Sequence, residues 1–559
     1  MKKQILPMLC LLGTMMFTAC GNNEETDGKN NGKIVMSAAQ FTLTEEPYGE
    51  ETEVETRAAE ALPETQTVDL GNGIEAEVSI EREQKEATHK ATRATEISNQ
   101  HSTITAFKSG VGRVGGTLRG TVSGTGTTKT FTPDPGTQHE IELPPGTYTF
   151  FCFNDKVSDD GSFTYTIQQA DAAEALFDYK TVAISGNHYR VNFEMKHQAA
   201  RMRFELTTYW DITGIKATAS ADNGLKTIYY DDLMSNYFEN NGAITSLEFG
   251  FPNAITEATN YTYTSTSDYG YFLCSFFNGV QTASNLKINF TSGSLYGKSL
   301  VGKSLPLCGF PRSILMRNES YKVKIKLFYS YNYLFQDGSV STLAVGRKAG
   351  KTAVAAMISS NKAMALTDAG GTCNWSNSAV KQNVVSTDAF ATVYNDMDGH
   401  GHTWSAAHSA SGVAHANDLN FPAFYQATHY TPLKPLTAGG GMLTSWYLPS
   451  IGEWKLAAQA MGGFNPASLT TWPNNTHQAW NDRLVKVISV QAGGTNPVWG
   501  SGLPSHGWYW ASNEHTNPAS AFHVILYPNS GTNGFGMYFA ANPKNLNPMR
   551  VRAFIIKVH

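Results

Sequence analysis

Tyr321-Lys322-Val323-Lys324-Ile325-Lys326-Leu327 is the clearest structural statement in the chain. Apolar and lysine residues alternate strictly, so one face is oily and the other charged, the pattern of a half-buried antiparallel strand. The same period recurs where Met202, Phe204 and Leu206 alternate with Arg201, Arg203 and Glu205, and where Leu286, Ile288 and Phe290 alternate with Lys287 and Asn289. Pro144-Pro145-Gly146 reads as a turn that feeds Tyr148–Phe153, the prolines fixing φ before the glycine reverses the chain. No long helical pattern interrupts residues 94–329. Two stacked antiparallel β-sandwich domains, 94–185 and 186–329, are therefore expected.

Beyond residue 330 the composition changes. Nine of the ten tryptophans lie there, and helical patterns appear. Ser450-Ile451-Gly452-Glu453 has the spacing of a capping box, with Ile451, Trp454, Ala458 and Met461 following on one face and Gly462-Gly463 as a stop. A second helix is expected from near Thr476, with Trp480, Leu484 and Val487 inward. Strand patterns return at Gly507–Ser512, Phe522–Leu526 and Val551–Ile555. Residues 330–559 thus read as a separate α+β domain, and the whole chain as mostly β. At 559 residues, 41% hydrophobic and 16% charged, the chain fits three or four globular domains. A net charge of -5 argues against a nucleic-acid partner.

That charge is concentrated near the N-terminus. Residues 21–100 carry 18 Asp/Glu against 7 Lys/Arg, and segment 21–93 reads as an acidic leader, a solvated tether or pro-segment that buries little apolar surface by itself. Ahead of it, Lys2 and Lys3 precede an apolar run from Ile5 to Phe17, which makes residues 1–20 a secretory signal peptide. The run ends in Phe17-Thr18-Ala19-Cys20, which resembles a bacterial lipobox. That resemblance implies diacylglycerol and palmitate on Cys20 and an outer-membrane lipoprotein exposed at the cell surface.

The remaining cysteines of the mature chain, Cys152, Cys274, Cys308 and Cys373, lack metal or redox spacing and read as buried thiols, a Cys274–Cys308 disulfide being the less favoured alternative. His400, His402, His408 and His415 cluster near Asp396 and Asp398, but no H-x-x-x-H or H-E-x-x-H helix is present and the glycines suggest a loop. No metal and no cofactor are expected.

Taken in order, Val68-Asp69-Leu70-Gly71-Asn72-Gly73, Ala91-Thr92-Arg93-Ala94, Leu143–Tyr148 and Arg201-Met202-Arg203-Phe204 resemble landmarks of the Bacteroidales fimbrillins, lipoprotein pilins with two β-sandwiches. Residues 330–559 resemble C-type-lectin-like modules through Trp446–Ser450, Glu453-Trp454, Tyr509–Ser512 and Val551-Arg552. The combination implies a fimbrial subunit, a tip adhesin in particular, that binds host or bacterial ligands through its C-terminal domain. The resemblance also implies assembly by donor-strand exchange, in which the leader serves as a temporary strand of its own sandwich until it is cut free. An Arg-specific protease would cut the leader after Arg93, with Arg57 the second candidate, and other fimbrial subunits would fill the opened edge. The last run, Val551–Val558, is expected to complete its own domain and so to be unavailable for donation, which suits a cap.

Within 330–559 the loop Ser512–Pro518 is the best ligand surface, with Asn513, Glu514 and His515 as binding residues. Trp480-Asn481-Asp482 echoes a calcium triplet but falls on the expected helix. An enzyme of the formylglycine-generating type would need paired cysteines, and this region has Cys373 alone, so a non-enzymatic role is expected. The rival reading is a surface glycan-binding lipoprotein outside any fibre.

Overall fold

The computed structural model describes residues 32–49, 65–83, 99–123, 130–162, 164–186, 189–221, 226–231, 236–240, 245–274, 286–307, 315–472, 479–498, 507–528 and 537–558. The chain is mostly β.

The first sandwich centres on a seven-stranded sheet. Its order is Phe41–Glu45, Val191–His197, Leu176–Ile184, Gly146–Asn154, Gln100–Lys108, Gly112–Ser123 and Thr130–Pro133. The acidic leader supplies one strand of this sheet and one strand of a two-stranded sheet packed with it. Ile34–Ser37 (β1) pairs antiparallel with Glu140–Leu143, and Phe41–Glu45 (β2) runs parallel to Val191–Met195 along the sheet edge. Ile34, Met36, Phe41 and Leu43 alternate inward, are no more than 9% exposed, and pack with Ile104, Ile141, Phe150 and Phe193. The other face of the sheet buries Phe107, Phe151, Phe153 and Phe177 against Tyr165, Ile167 and Ile228 of a four-stranded sheet.

A second leader hairpin belongs to the second sandwich. Gln66–Gly71 (β3) and Ile74–Arg82 (β4) turn through Asn72 and Gly73 at φ 58° and 77°, the left-handed pair whose twist suits a two-residue hairpin. β4 lies against the opening stretch in a nine-residue antiparallel register, from Tyr321 opposite Arg82 to Tyr329 opposite Ile74. Val323, Ile325 and Leu327 are buried with Ile74, Ala76, Val78 and Ile80. The lysine face answers the leader's acidity: Lys324 meets Glu81 at 2.7 Å and Lys322 approaches Glu83 at 3.7 Å. The opposing sheet is Thr245–Gly250, Lys216–Ala221, Lys287–Ser292 and Ser304–Pro306.

Three expectations are corrected here. Segment 21–93 is no solvated tether over its described residues, because β1 to β4 are integral strands and the carboxylates Glu77 and Glu81 of β4 meet Arg347 and Lys324 of the body. Neither sandwich is purely antiparallel, since β2 pairs parallel with Val191–Met195 and Ala199–Thr208 pairs parallel with Ser320–Tyr329. The chain leaves the first sheet at Gln198 rather than near residue 186; that buried side chain donates to Phe177 O and Lys196 O, and the strand Lys226–Asp231 later returns to pair with Thr164–Ile167.

The C-terminal unit joins a five-stranded sheet, closed by Phe554–Ile556 against Lys362–Met364, to a three-stranded sheet and several helices. Helix Ile451–Gly462 starts with the expected box, Glu453 accepting from Ser450 N at 2.9 Å, and stops at left-handed Gly463. The next helix starts at Asp482, with Asn481 as its cap, and buries Val485, Val487, Ile488 and Val490 while Leu484 stays half-buried; Thr476 lies outside the described residues. Asn481 and Asp482 are thus a cap and a first turn. This unit sits on the second sandwich through Arg483 with Asp211, Lys486 with Glu257 and Arg347 with Glu77.

Candidate functional site

The leader strand β2 does not end at the sheet edge. Its continuation Glu45–Gly49 fills the seam between the two sandwiches, and every residue in it is held. Glu45 lies 3.1 Å from His197 Nε2, and Glu46 lies 2.8 Å from the Lys196 ammonium. Pro47 O accepts from Asn318 Nδ2 at 3.2 Å. Gly49 N donates to Asn318 O at 2.8 Å, and Gly49 has φ +81°, where an added Cβ would sit 3.0 Å from Glu83 O. The Tyr48 ring stacks on His197 with centroids 4.1 Å apart, tilts against Tyr271 at 6.1 Å, and carries the Arg201 guanidinium 4.8 Å from its centre. Burial pushes the Tyr48 phenol well above its ordinary pKa.

Beside this plug sits Glu83, at the exit of β4. Burial opposes its ionisation, yet hydrogen bonds from Tyr269, Arg203 and Ser320 outweigh that and hold the carboxyl below the usual range. Arg201 and Arg203 flank the Tyr269 ring at 4.5 and 5.1 Å. The seam thus surrounds an acidic, aromatic segment, which turns at Tyr48 and Gly49, with cations and rings. Sequence reasoning missed it because its parts come from residues 45–49, 196–203, 269–271 and 318.

Cys20, Arg57, Arg93 and Cys308 lie outside the described residues. The three ligand candidates fare differently from one another. Asn513 and Glu514 are buried, at 6% and 2% exposure, because a bulge between Trp510 and Glu514 turns them inward. Glu514 forms an ion pair with the fully buried Lys544 and accepts from Gln382 N at 2.9 Å and Asn383 N at 2.6 Å. Asn513 accepts from Ile451 N at 2.8 Å and donates to Asp396 at 2.6 Å. Both are structural pins; His515 is half-buried, and Thr516–Pro518 are exposed.

The histidine cluster is no open loop. Asp398 caps a short helix, Gly399–Trp404, by accepting from Gly401 N. His402 and His408 stand 3.4 Å from Asp396 and Asp398 respectively, and burial lowers the His402 pKa. Among the described residues no group of three or more His, Cys, Asp or Glu has metal-holding geometry. Glu453 is spent on capping and on Lys362, and burial, the dominant influence, raises its pKa. Val551, Ala553, Phe554 and Ile555 are fully buried, so the closing strand is part of its own core.

No family model and no curated protein matches the chain. Among solved structures it is similar to a candidate cell adhesion protein from Bacteroides uniformis, with 14% identity over 44% of this chain and 90% of that one and a TM-score of 0.29. The fimbrial anchor protein from Porphyromonas gingivalis matches with 10% identity over 38% and 75% of the two chains, at a TM-score of 0.23. A fimbrial assembly protein from Parabacteroides distasonis matches with 13% identity over 40% and 83%, at 0.21. At such scores the likeness assigns neither fold nor role.

Proposed function

We propose that the chain is a surface lipoprotein subunit of a fimbrium, built to exchange its leader for a strand of another subunit and to present its C-terminal unit as an adhesin at the tip. The observation that carries this reading is the placement of β1 and β2: a segment ahead of the body supplies an edge strand and four core side chains to the first sandwich. Burying such side chains is worth roughly 1.5–3 kcal/mol each, so an emptied groove would cost the sandwich roughly 6–12 kcal/mol, comparable to a domain's whole stability. Nothing short of another strand with the same pattern restores that core and the open edge of Val191–His197.

The same geometry supports Arg57 over Arg93 as the cut. A cut after Arg57 separates β1 and β2 alone. A cut after Arg93 also severs β3 and β4, and that hairpin is held by the C-terminal unit: Glu75 accepts from Ala344 N and Ser330 Oγ, and Glu77 pairs with Arg347. Donation by the C-terminal strand would open the core around Phe554, which supports a capping position. The adhesive surface narrows to His515–Pro518 within the loop, with a glycan or host protein as ligand and the outer membrane as the site of lipid anchorage.

Purification of the surface protein tests the reading. A fimbrial tip brings shaft subunits with it, and immunogold labels fibre ends. Co-purification with a transporter, or periodic label along the shaft, contradicts it.

A further inference from the structure

The seam segment Glu45-Glu46-Pro47-Tyr48-Gly49 fits its pocket with one conspicuous flaw. Among the described residues the Tyr48 hydroxyl and Nδ1 of His197 are both buried without a hydrogen-bond partner. A buried polar atom left unpaired weakens the state that buries it. The ring, in contrast, is well received, by stacking on His197 and by the Arg201 guanidinium. The two carboxylates ahead of it meet Lys196 and His197.

We infer that the seam pocket is a recognition site for a strand-ending segment of another protein subunit carrying two acidic residues, a turn-compatible spacer and an aromatic residue, and that Glu45–Gly49 is its internal, deliberately imperfect occupant. The inference rests on the strand-exchange reading for the source of that segment. Specificity resides in the pocket: Lys196 and His197 select the acidic pair, while Arg201, Tyr271 and His197 select the ring. Asn318, at φ +60°, presents its backbone carbonyl and side-chain amide to the segment's own backbone on either side of Tyr48 and so reads the turn there, whatever the side chains. Because the internal occupant buries a hydroxyl that finds no partner, an incoming phenylalanine outcompetes Tyr48 at the same place. The segment is therefore held firmly enough to close the seam and loosely enough to be replaced.

Binding of a fluorescent peptide spanning residues 41–49 to the full-length chain carrying Phe41→Ser and Tyr48→Ala, which loosen the internal segment, tests this. The peptide is expected to bind that variant and to bind the unaltered chain at least tenfold more weakly. Replacing its tyrosine by phenylalanine should tighten binding by roughly tenfold, the typical cost of one unpaired buried polar group. Glutamine at both acidic positions, or Arg201→Ala in the chain, should weaken it by a similar factor. Equal binding of the tyrosine, phenylalanine and alanine peptides overturns the inference, and so does indifference to the acidic pair. As a check that needs no loosened variant, Tyr48→Phe in the otherwise unaltered chain should raise its unfolding midpoint; a lower midpoint overturns the claim of an imperfect occupant. Fibres whose subunits retain residues 34–49 would refute strand exchange while leaving the peptide measurements intact, so the two failures are distinguishable.

Discussion

Tyr48 lies flat on His197, the ring centroids 4.1 Å apart and the planes inclined by 20°. Tyr48 belongs to an acidic leader and His197 ends a strand of the first sheet, so this stack ties the most polar part of the chain to the junction of its two sandwiches. It makes the leader part of the folded structure.

Phe41 and Met36 give the first test of that view. Each is buried among the core residues of the first sandwich. Phe41→Ala and Met36→Ala should each destabilise the first sandwich by about 2–5 kcal/mol in urea unfolding. A tether would lose nothing.

The pair Glu514 and Lys544 predicts a stability effect where a loop between two expected strands suggests a ligand site. Lys544→Met leaves a buried carboxylate without its cation and should cost about 3–5 kcal/mol. Lys544→Met combined with Glu514→Gln, which removes the charge but keeps an acceptor for the Gln382 and Asn383 amides, should recover part of that loss. Adhesion lost in Glu514→Gln would follow the folded fraction, which circular dichroism on the same sample measures.

His101 predicts a pH dependence. Burial opposes its charge, but Asp155 at 2.6 Å and Asp134 at 2.7 Å prevail and raise its pKa above 6.5. A raised histidine stabilises fully below its unfolded pKa, and the contribution fades as pH rises through the folded value. The urea midpoint should therefore fall from pH 6 toward pH 8.5 in the native chain, and His101→Gln should flatten that slope.

Glu83 has the opposite sign. Its carboxyl is held below 4.5 by Tyr269, Arg203 and Ser320 against the cost of burial. The stability it lends is present above the unfolded pKa and is lost as pH falls through the depressed one. Glu83→Gln should be less stable than the native chain at pH 7, with the gap closing in acid.

Local signals were legible in the sequence and distant ones were not. The alternation of Tyr321–Leu327 and the box at Ser450 and Glu453 depend on neighbours a few residues away: the half-buried strand and the cap stand as read, while the strand's pairing is antiparallel on one side and parallel on the other. The leader misled because its average acidity hid two short alternations, Ile34 to Leu43 and Ile74 to Ile80. The cations that make its carboxylates structural lie far along the chain: Lys324 is 243 residues from Glu81. Parallel pairing is invisible to a period-two pattern, which looks the same in either direction. Asn513 and Glu514 fall between two expected strands and so read as loop; a bulge turns them inward to Ile451 and Lys544, partners that no local pattern names. The seam pocket, gathered from four separate stretches, had no sequence signature at all.

The most direct test of strand exchange is the N-terminus of the chain recovered from assembled surface fibres, read by N-terminal sequencing and intact mass. The account predicts Ala58 as the first residue, with β1 and β2 gone and the β3–β4 hairpin retained. A fibre-borne chain that begins at Cys20 and still carries residues 34–49 would contradict it.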